Sequence, residues 1–121
     1  MKRVEALEYG EDWALIIYEA VDKNNMPEQI PQSSIKQMFS TTDSLYITPL
    51  ALEIGLENYL GCKTNVSQAV KFLYKQQLLH TDNSNALTVK KSGTRYYAIK
   101  LNSLKCYCYQ KYHVNSKHNN P

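Results

Sequence analysis

Between residues 48 and 65 the chain carries a run of local signals that leaves little choice of conformation. Thr48 precedes Pro49. A threonine hydroxyl accepts a hydrogen bond from one of the backbone N–H groups left without a partner in the first turn of a helix, and a proline, which has no N–H, fits the first helical position. Leu50, Ile54, Leu56 and Leu60 follow, and Gly61 then supplies the residue that turns left-handed at a helix end at least cost. Residues 61–64 separate this helix from a second one, for which Asn65 is the cap, with Gln68 three positions on; Thr64 is the alternative cap. The second helix is predicted to reach about Gln77. Any fold of this chain has to place two helices joined by a tight, glycine-containing turn.

Elsewhere the punctuation is looser. Trp13, Ile16, Ile17 and Ala20 recur at helical spacing, with Glu11 and Asp12 suited to the positive end of the helix dipole, so an amphipathic helix is predicted from about Glu11 to Lys23. Asn24, Asn25, Pro27 and Pro31 break it, and a short second helix capped by Ser33 or Ser34 is expected to carry Ile35, Met38 and Phe39 inward. Leu45 to Ile47 reads as a short strand. Tyr97, Ile99 and Leu101 alternate with Tyr96, Ala98 and Lys100 as in a half-buried strand, and Ser92-Gly93 marks a hairpin tip after Leu87 to Val89.

Charge divides the chain. Residues 1–60 hold four basic and ten acidic groups, a balance of −6, whereas residues 61–121 hold ten basic groups and a single acid, Asp82, a balance of +9. A surface with such a field attracts polyanions. Nucleic acid is the first candidate partner; an acidic protein and a membrane surface are the alternatives. On the predicted helix after the turn, Val66, Ala69, Val70 and Leu73 cluster on one side, and Thr64, Ser67, Gln68, Lys71 and Lys75 on the other. Glutamine pairs bidentately with adenine, serine bonds to base or phosphate, and lysine meets guanine or phosphate. Taken alone, such a face is also what any solvated surface helix presents. The hairpin behind it carries Lys90, Lys91 and Arg95 beside Ser92 and Thr94 at its tip.

The order of these elements, TPLALEIGLENYLGCKTNVSQAVKFLYKQQLL (residues 48–79) and then a basic hairpin ending in GTRYYAIKL, resembles the winged helix-turn-helix family over residues 48–101. The resemblance implies an α+β fold with extra N-terminal helices and a two- to three-stranded hairpin wing. The winged-helix domain would span residues 1–101, with the helix-turn-helix in 48–79, the wing in 80–101, and a partly disordered extension in 102–121. It further implies sequence-specific binding of double-stranded DNA, in transcription control or replication of a bacterial or mobile-element genome. In that reading Thr64, Asn65, Ser67, Gln68, Lys71 and Lys75 sit in the major groove, and Lys90, Lys91, Ser92, Thr94 and Arg95 meet the neighbouring backbone or minor groove. A homodimer on a paired site follows by analogy. One departure is a long segment between Leu79 and the last strand, with an extra turn expected at residues 82–86. Because a fold does not fix a function, the alternative is a small phage-type protein-interaction module, an inhibitor of a host complex on the same scaffold.

The C-terminal extension offers Cys106, Cys108, His113 and His118, ligand types that zinc prefers, but the C-x-C spacing is tighter than usual, and two small packed thiols are the preferred reading, with no metal and no cofactor. Tyr107, Tyr109 and Tyr112 interleave with Lys105 and Lys111, either to stack on bases or, more simply, to pack a C-terminal element on the N-terminal helix, with Trp13 and Tyr18 in the contact. His80, His113 and His118 have no recognisable nucleophile beside them and there is no glycine-rich phosphate loop, so no enzyme is expected. No apolar stretch is long enough to span a bilayer and the first residues lack a secretory signal's apolar core, from which a cytoplasmic protein without membrane attachment is expected.

Overall fold

The structure, a computed structural model, describes residues 12–82 and 87–113. It is a mixed α+β arrangement of four helices and a small antiparallel sheet, in the order α1 (Trp13–Asp22), β1 (Met38–Ser40), β2 (Ser44–Ile47), α2 (Pro49–Leu60), α3 (Val66–Lys75), β3 (Leu79–His80), β4 (Val89–Lys91), β5 (Thr94–Lys100) and α4 (Leu101–Tyr112). Among the described residues no helix is long and apolar enough to cross a membrane.

The local signals around residue 48 are used as expected. The Thr48 hydroxyl accepts from the Ala51 N–H at 3.1 Å, Pro49 opens α2, and Gly61 closes it at φ 74° with its N–H donated to the Glu57 carbonyl. Asn65 caps α3 by accepting from the Gln68 N–H at 3.2 Å. Asp12 caps α1, its Oδ1 accepting from the Ala14 N–H at 3.0 Å; Glu11 lies outside the described residues. In α2, Gly55 meets Met26: a Cβ there would press on the Met26 thioether and its backbone, so this helix position is kept small by packing.

Two expectations are corrected between the first helix and the sheet. Residues 33–37 form no helix; Met38 to Ser40 instead pair with β2, Phe39 opposite Tyr46, and Ile35 is left 43% exposed. The reason is tertiary. A helix of so few residues is marginal by itself, and here Gln37 is bound from several sides: its N–H donates to the Glu28 carbonyl, its carbonyl accepts from the Thr48 N–H, and its buried side chain accepts from the Thr48 hydroxyl at 2.5 Å. Nor is β5 half-buried. Ile99 lies under the helices as expected and Tyr97 is partly covered, but Tyr96 and Ala98 on the other face are also buried, because the side chains of Phe39, Tyr46 and Tyr96 close over that face.

β5 is the centre of the sheet. One edge pairs with β2, Leu45 opposite Ile99; the other pairs first with β3, Leu79 opposite Ile99, and further back with β4, Lys90 opposite Arg95. The β4–β5 turn puts Ser92 at φ 52° and Gly93 at φ 82°, and two consecutive left-handed residues give the two-residue turn whose twist suits a hairpin. The inner sheet face, with Leu45, Ile47, Leu79 and Ile99, joins Ile16 and Ile17 of α1, Leu52 and Leu56 of α2, and Val70 and Leu73 of α3 in one buried core.

The C-terminal extension, expected to be partly disordered from residue 102, is helical from Leu101 to Tyr112 and packs on α1, as the simpler reading of its tyrosines has it, with Leu104 and Cys108 fully buried. What recruits it is Asp12, only 3% exposed. While Oδ1 caps α1, Oδ2 accepts hydrogen bonds from the Tyr107 hydroxyl at 3.0 Å and from the Tyr112 hydroxyl, and Lys111 Nζ lies 3.4 Å away. Residues 114–121, including His118, lie outside the described residues.

Asp12→Ala removes the helix cap and the acceptor of both tyrosines, and is expected to cost about 2–4 kcal/mol. Asp12→Asn keeps the capping oxygen and should cost about half as much, which thermal melts of the two variants compare directly. Gly55→Ala gains helix propensity of about 1 kcal/mol but forces Met26 to move; overpacking of this kind costs about 1–3 kcal/mol, so a lower melting temperature is expected. A rise would show that the Met26 contact is not limiting.

Burial, with Asp12 and Glu19 adding to it, pushes the Cys108 thiol up from 9.0 to about 12, and Tyr18, Tyr97, Tyr107 and Tyr112 are all raised, burial being the largest cause for each. The folded chain therefore holds protons that the unfolded chain gives up. Stability is present below about pH 9 and is lost as the pH climbs toward 12. Urea midpoints should be level from pH 7 to 9 and fall above it, and at neutral pH Cys62 and Cys106, both exposed, should react with a thiol reagent while Cys108 reacts only on unfolding.

Candidate nucleic-acid interface

Helix α3 presents the face read from the sequence. Ala69, Val70 and Leu73 are buried, and Ser67, Gln68, Lys71 and Lys75 are exposed within one arc of the helix. Tyr74, 52% exposed, extends that arc. At about 100° per residue it lies beside Ser67 and Lys71, so its place was legible from the helical spacing that revealed the others. Thr64 and Asn65 hold a different post. The Thr64 hydroxyl donates to the Cys62 carbonyl at 3.2 Å and Asn65 Oδ1 accepts from the Gln68 N–H, so both side chains first build the turn and fix the start of α3.

The hairpin divides its cations by strand alternation. Lys90 and Arg95 lie opposite each other on the face that continues into Tyr97, and Lys91 and Thr94 lie on the other. Between the sheet and the starts of α2 and α3 runs an open cleft of about 960 Å³, bordered by Leu50 and the carboxylate-bearing Glu53 from α2, by Lys63 and Ser67 from the turn and α3, by Leu87 and Thr88 from the connection before β4, and by Tyr97 of β5. The starts of two helices thus border one cleft, where N–H groups and helix dipoles favour negative charge. Leu50, half exposed, Glu53 and Lys63 are members that sequence reasoning passed over.

Arg95 is not free at a tip. Its guanidinium donates to the Thr88 carbonyl at 3.1 Å and the Thr88 hydroxyl at 3.3 Å, and lies 3.6 Å from Asp82, the single acid of the basic half. It ties the long connection before β4 to the hairpin. The extra turn expected at residues 82–86 falls largely outside the described residues. Lys91 is drawn over the Tyr46 ring at 5.3 Å on the far face of the sheet. Lys63 at the cleft, Lys71 and Lys75 on α3, and Lys90, Lys91 and Arg95 on the hairpin are all exposed, the last two while engaged as described.

The Cys106, Cys108 and His113 group is not gathered. Two residues apart on a helix, the cysteines point to nearly opposite sides, one exposed and one buried, and Cys108 donates to the Ala14 carbonyl at 3.6 Å. Among the described residues no group of three His, Cys, Asp or Glu side chains is placed to hold a metal ion.

No protein-family profile matches the chain, and no curated protein or solved structure shows significant similarity to it.

Proposed function

We propose that the chain is a winged helix-turn-helix protein that binds double-stranded DNA, with α3 as the helix that enters the major groove and the β4–β5 hairpin as the wing. One observation carries this reading: α3 leaves a polar and cationic face open along Ser67, Gln68, Lys71, Tyr74 and Lys75, and a β4–β5 hairpin with exposed Lys90 follows it on the same sheet. A helix and a β-ribbon set side by side suit the groove and the adjacent backbone of a duplex. Ser67 and Gln68, in the first turn of α3, are the base-reading candidates. Lys71, Lys75 and Lys90 supply the phosphate contacts. Arg95 and Asn65 act by positioning. A single module makes few contacts, so we further propose that two copies act on a paired site.

Exposed Leu50 and the apolar lining of the cleft favour a second reading, a protein-binding module on the same scaffold.

Duplex affinity should fall steeply with salt. Lys71→Ala and Lys75→Ala should each lower it and make the slope of log K against log salt shallower by about one. Gln68→Ala should lose about 1–3 kcal/mol at the preferred site and little on other sequences. Fluorescence anisotropy on duplexes selected from a random pool reads all three. A folded protein that retards no duplex at low salt decides for the second reading.

A further inference from the structure

The face of the sheet turned away from the helices is itself built for a ligand. Alternation brings Phe39, Tyr46, Ala98 and His80 into a row across β1, β2, β5 and β3, with Tyr96, Val89, Thr94 and Lys91 beside it. Phe39 stacks on Tyr46 with ring centres 4.8 Å apart and planes 10° from parallel, and Tyr96 meets both rings edge-on at 5.2 and 6.4 Å. A rigid aromatic floor results, too well interlocked to be a surface accident.

At one end of this floor, a hollow of about 570 Å³ opens between the loop before β1 and the hairpin tip, a size within the ~300–1,000 Å³ typical of ligand sites. Phe39, Ile35 and Tyr96 give it an apolar lining, Lys36 and Lys91 stand in its walls, and Ser34, Ser92 and Thr94 supply hydroxyls. Among the described residues that line it, none is acidic. The walls are held together: the Tyr96 hydroxyl donates to the Lys36 carbonyl at 2.7 Å, which ties the loop to the sheet, and Lys91 is steadied by the Tyr46 ring. Lys91 also borders a second, smaller hollow, of about 440 Å³, on the same face, lined by Tyr46, His80 and Ala98 and by the acidic Asp43.

We propose that this outer face is a second nucleic-acid site, which takes a short single strand: a base against Phe39 and Ile35 in the larger hollow, and its neighbouring phosphates on Lys36 and Lys91. The chemistry favours this occupant because the larger hollow, with a flat aromatic lining, two ammonium groups and no carboxylate among its lining residues, matches an unpaired base with its phosphates, while Asp43 in the smaller hollow turns phosphates away from that end of the face. Stacking is indifferent to sequence, so the site is expected to show little base preference. It shares the hairpin tip with the duplex reading but is tested apart from it, since Phe39 and, in the loop before β1, Lys36 belong to the hollow on the outer side of the sheet and not to the cleft beside α3.

The test uses the full chain, a fluorescent ten-nucleotide oligothymidylate, its oligouridylate counterpart and a hairpin duplex at low salt. Both single strands should bind, with Phe39→Leu and Lys36→Glu each weakening them about tenfold or more while leaving duplex affinity within twofold; a circular-dichroism melt establishes that the variants are folded. Lys71→Ala should do the converse. Single-strand binding that is absent, that survives both folded variants, or that is lost in Lys71→Ala alone would overturn the proposal. So would capture of a glutamate-rich peptide at the same site in preference to the oligonucleotides. Failure of duplex binding with single-strand binding intact would sink only the reading of α3.

Discussion

The pairing of β5 with three other strands is the constraint from which the rest of the molecule takes its geometry. Its β2 edge anchors the strand that runs straight into the Thr48 cap of α2, and its other edge holds β3, which follows α3 after only three residues. The same edge then holds β4 and so the hairpin. Helix α3 and the hairpin are therefore referenced to one strand. Loop motion alone cannot change their separation without breaking ladder hydrogen bonds, and groups that must meet one ligand together gain from that rigidity.

A sheet so short would ordinarily leave one side wet. Here both sides of β5 are closed by different chemistry: aliphatic packing against three helices on the inside, and three interlocked rings on the outside. The aromatic closure costs the chain little entropy, because two rotatable bonds fix each ring. It also gives the outer face a shape of its own and leaves the cations at its border, Lys36 and Lys91, on a firm base.

What the sequence made legible was what is decided within a few residues. Thr48-Pro49, Gly61, Asn65 and Ser92-Gly93 act on their own backbone, and each does in the fold what its local chemistry requires. The open face of α3 followed from its period for the same reason. Strand β1 was not legible, because Met38 to Ser40 become a strand only by meeting Tyr46, Leu45 and Ile47, and the helical spacing of Ile35, Met38 and Phe39 pointed the other way. That a C-terminal element packs on the N-terminal helix was legible from the tyrosines at 107, 109 and 112, but not that it is a helix within the same chain, nor that Asp12, about a hundred positions earlier, receives Tyr107, Tyr112 and Lys111. Likewise Arg95 looked like a free hairpin cation, and its engagement with Thr88 and Asp82 depends on a backbone path that residue types do not reveal.

The carboxylate that receives Tyr107 and Tyr112 also sets an order of events during synthesis. Among the described elements helix α1 is made first, yet its partner α4 is the last to emerge, and closing so long a loop carries an entropic toll that only the finished core repays. Until then the side of α1 that Leu104 and Cys108 will cover stays open, and a nascent chain is adhesive while such apolar surface is exposed. Asp12 thus serves twice, its Oδ1 capping α1 as soon as that helix forms and its Oδ2 waiting for the last described helix to arrive.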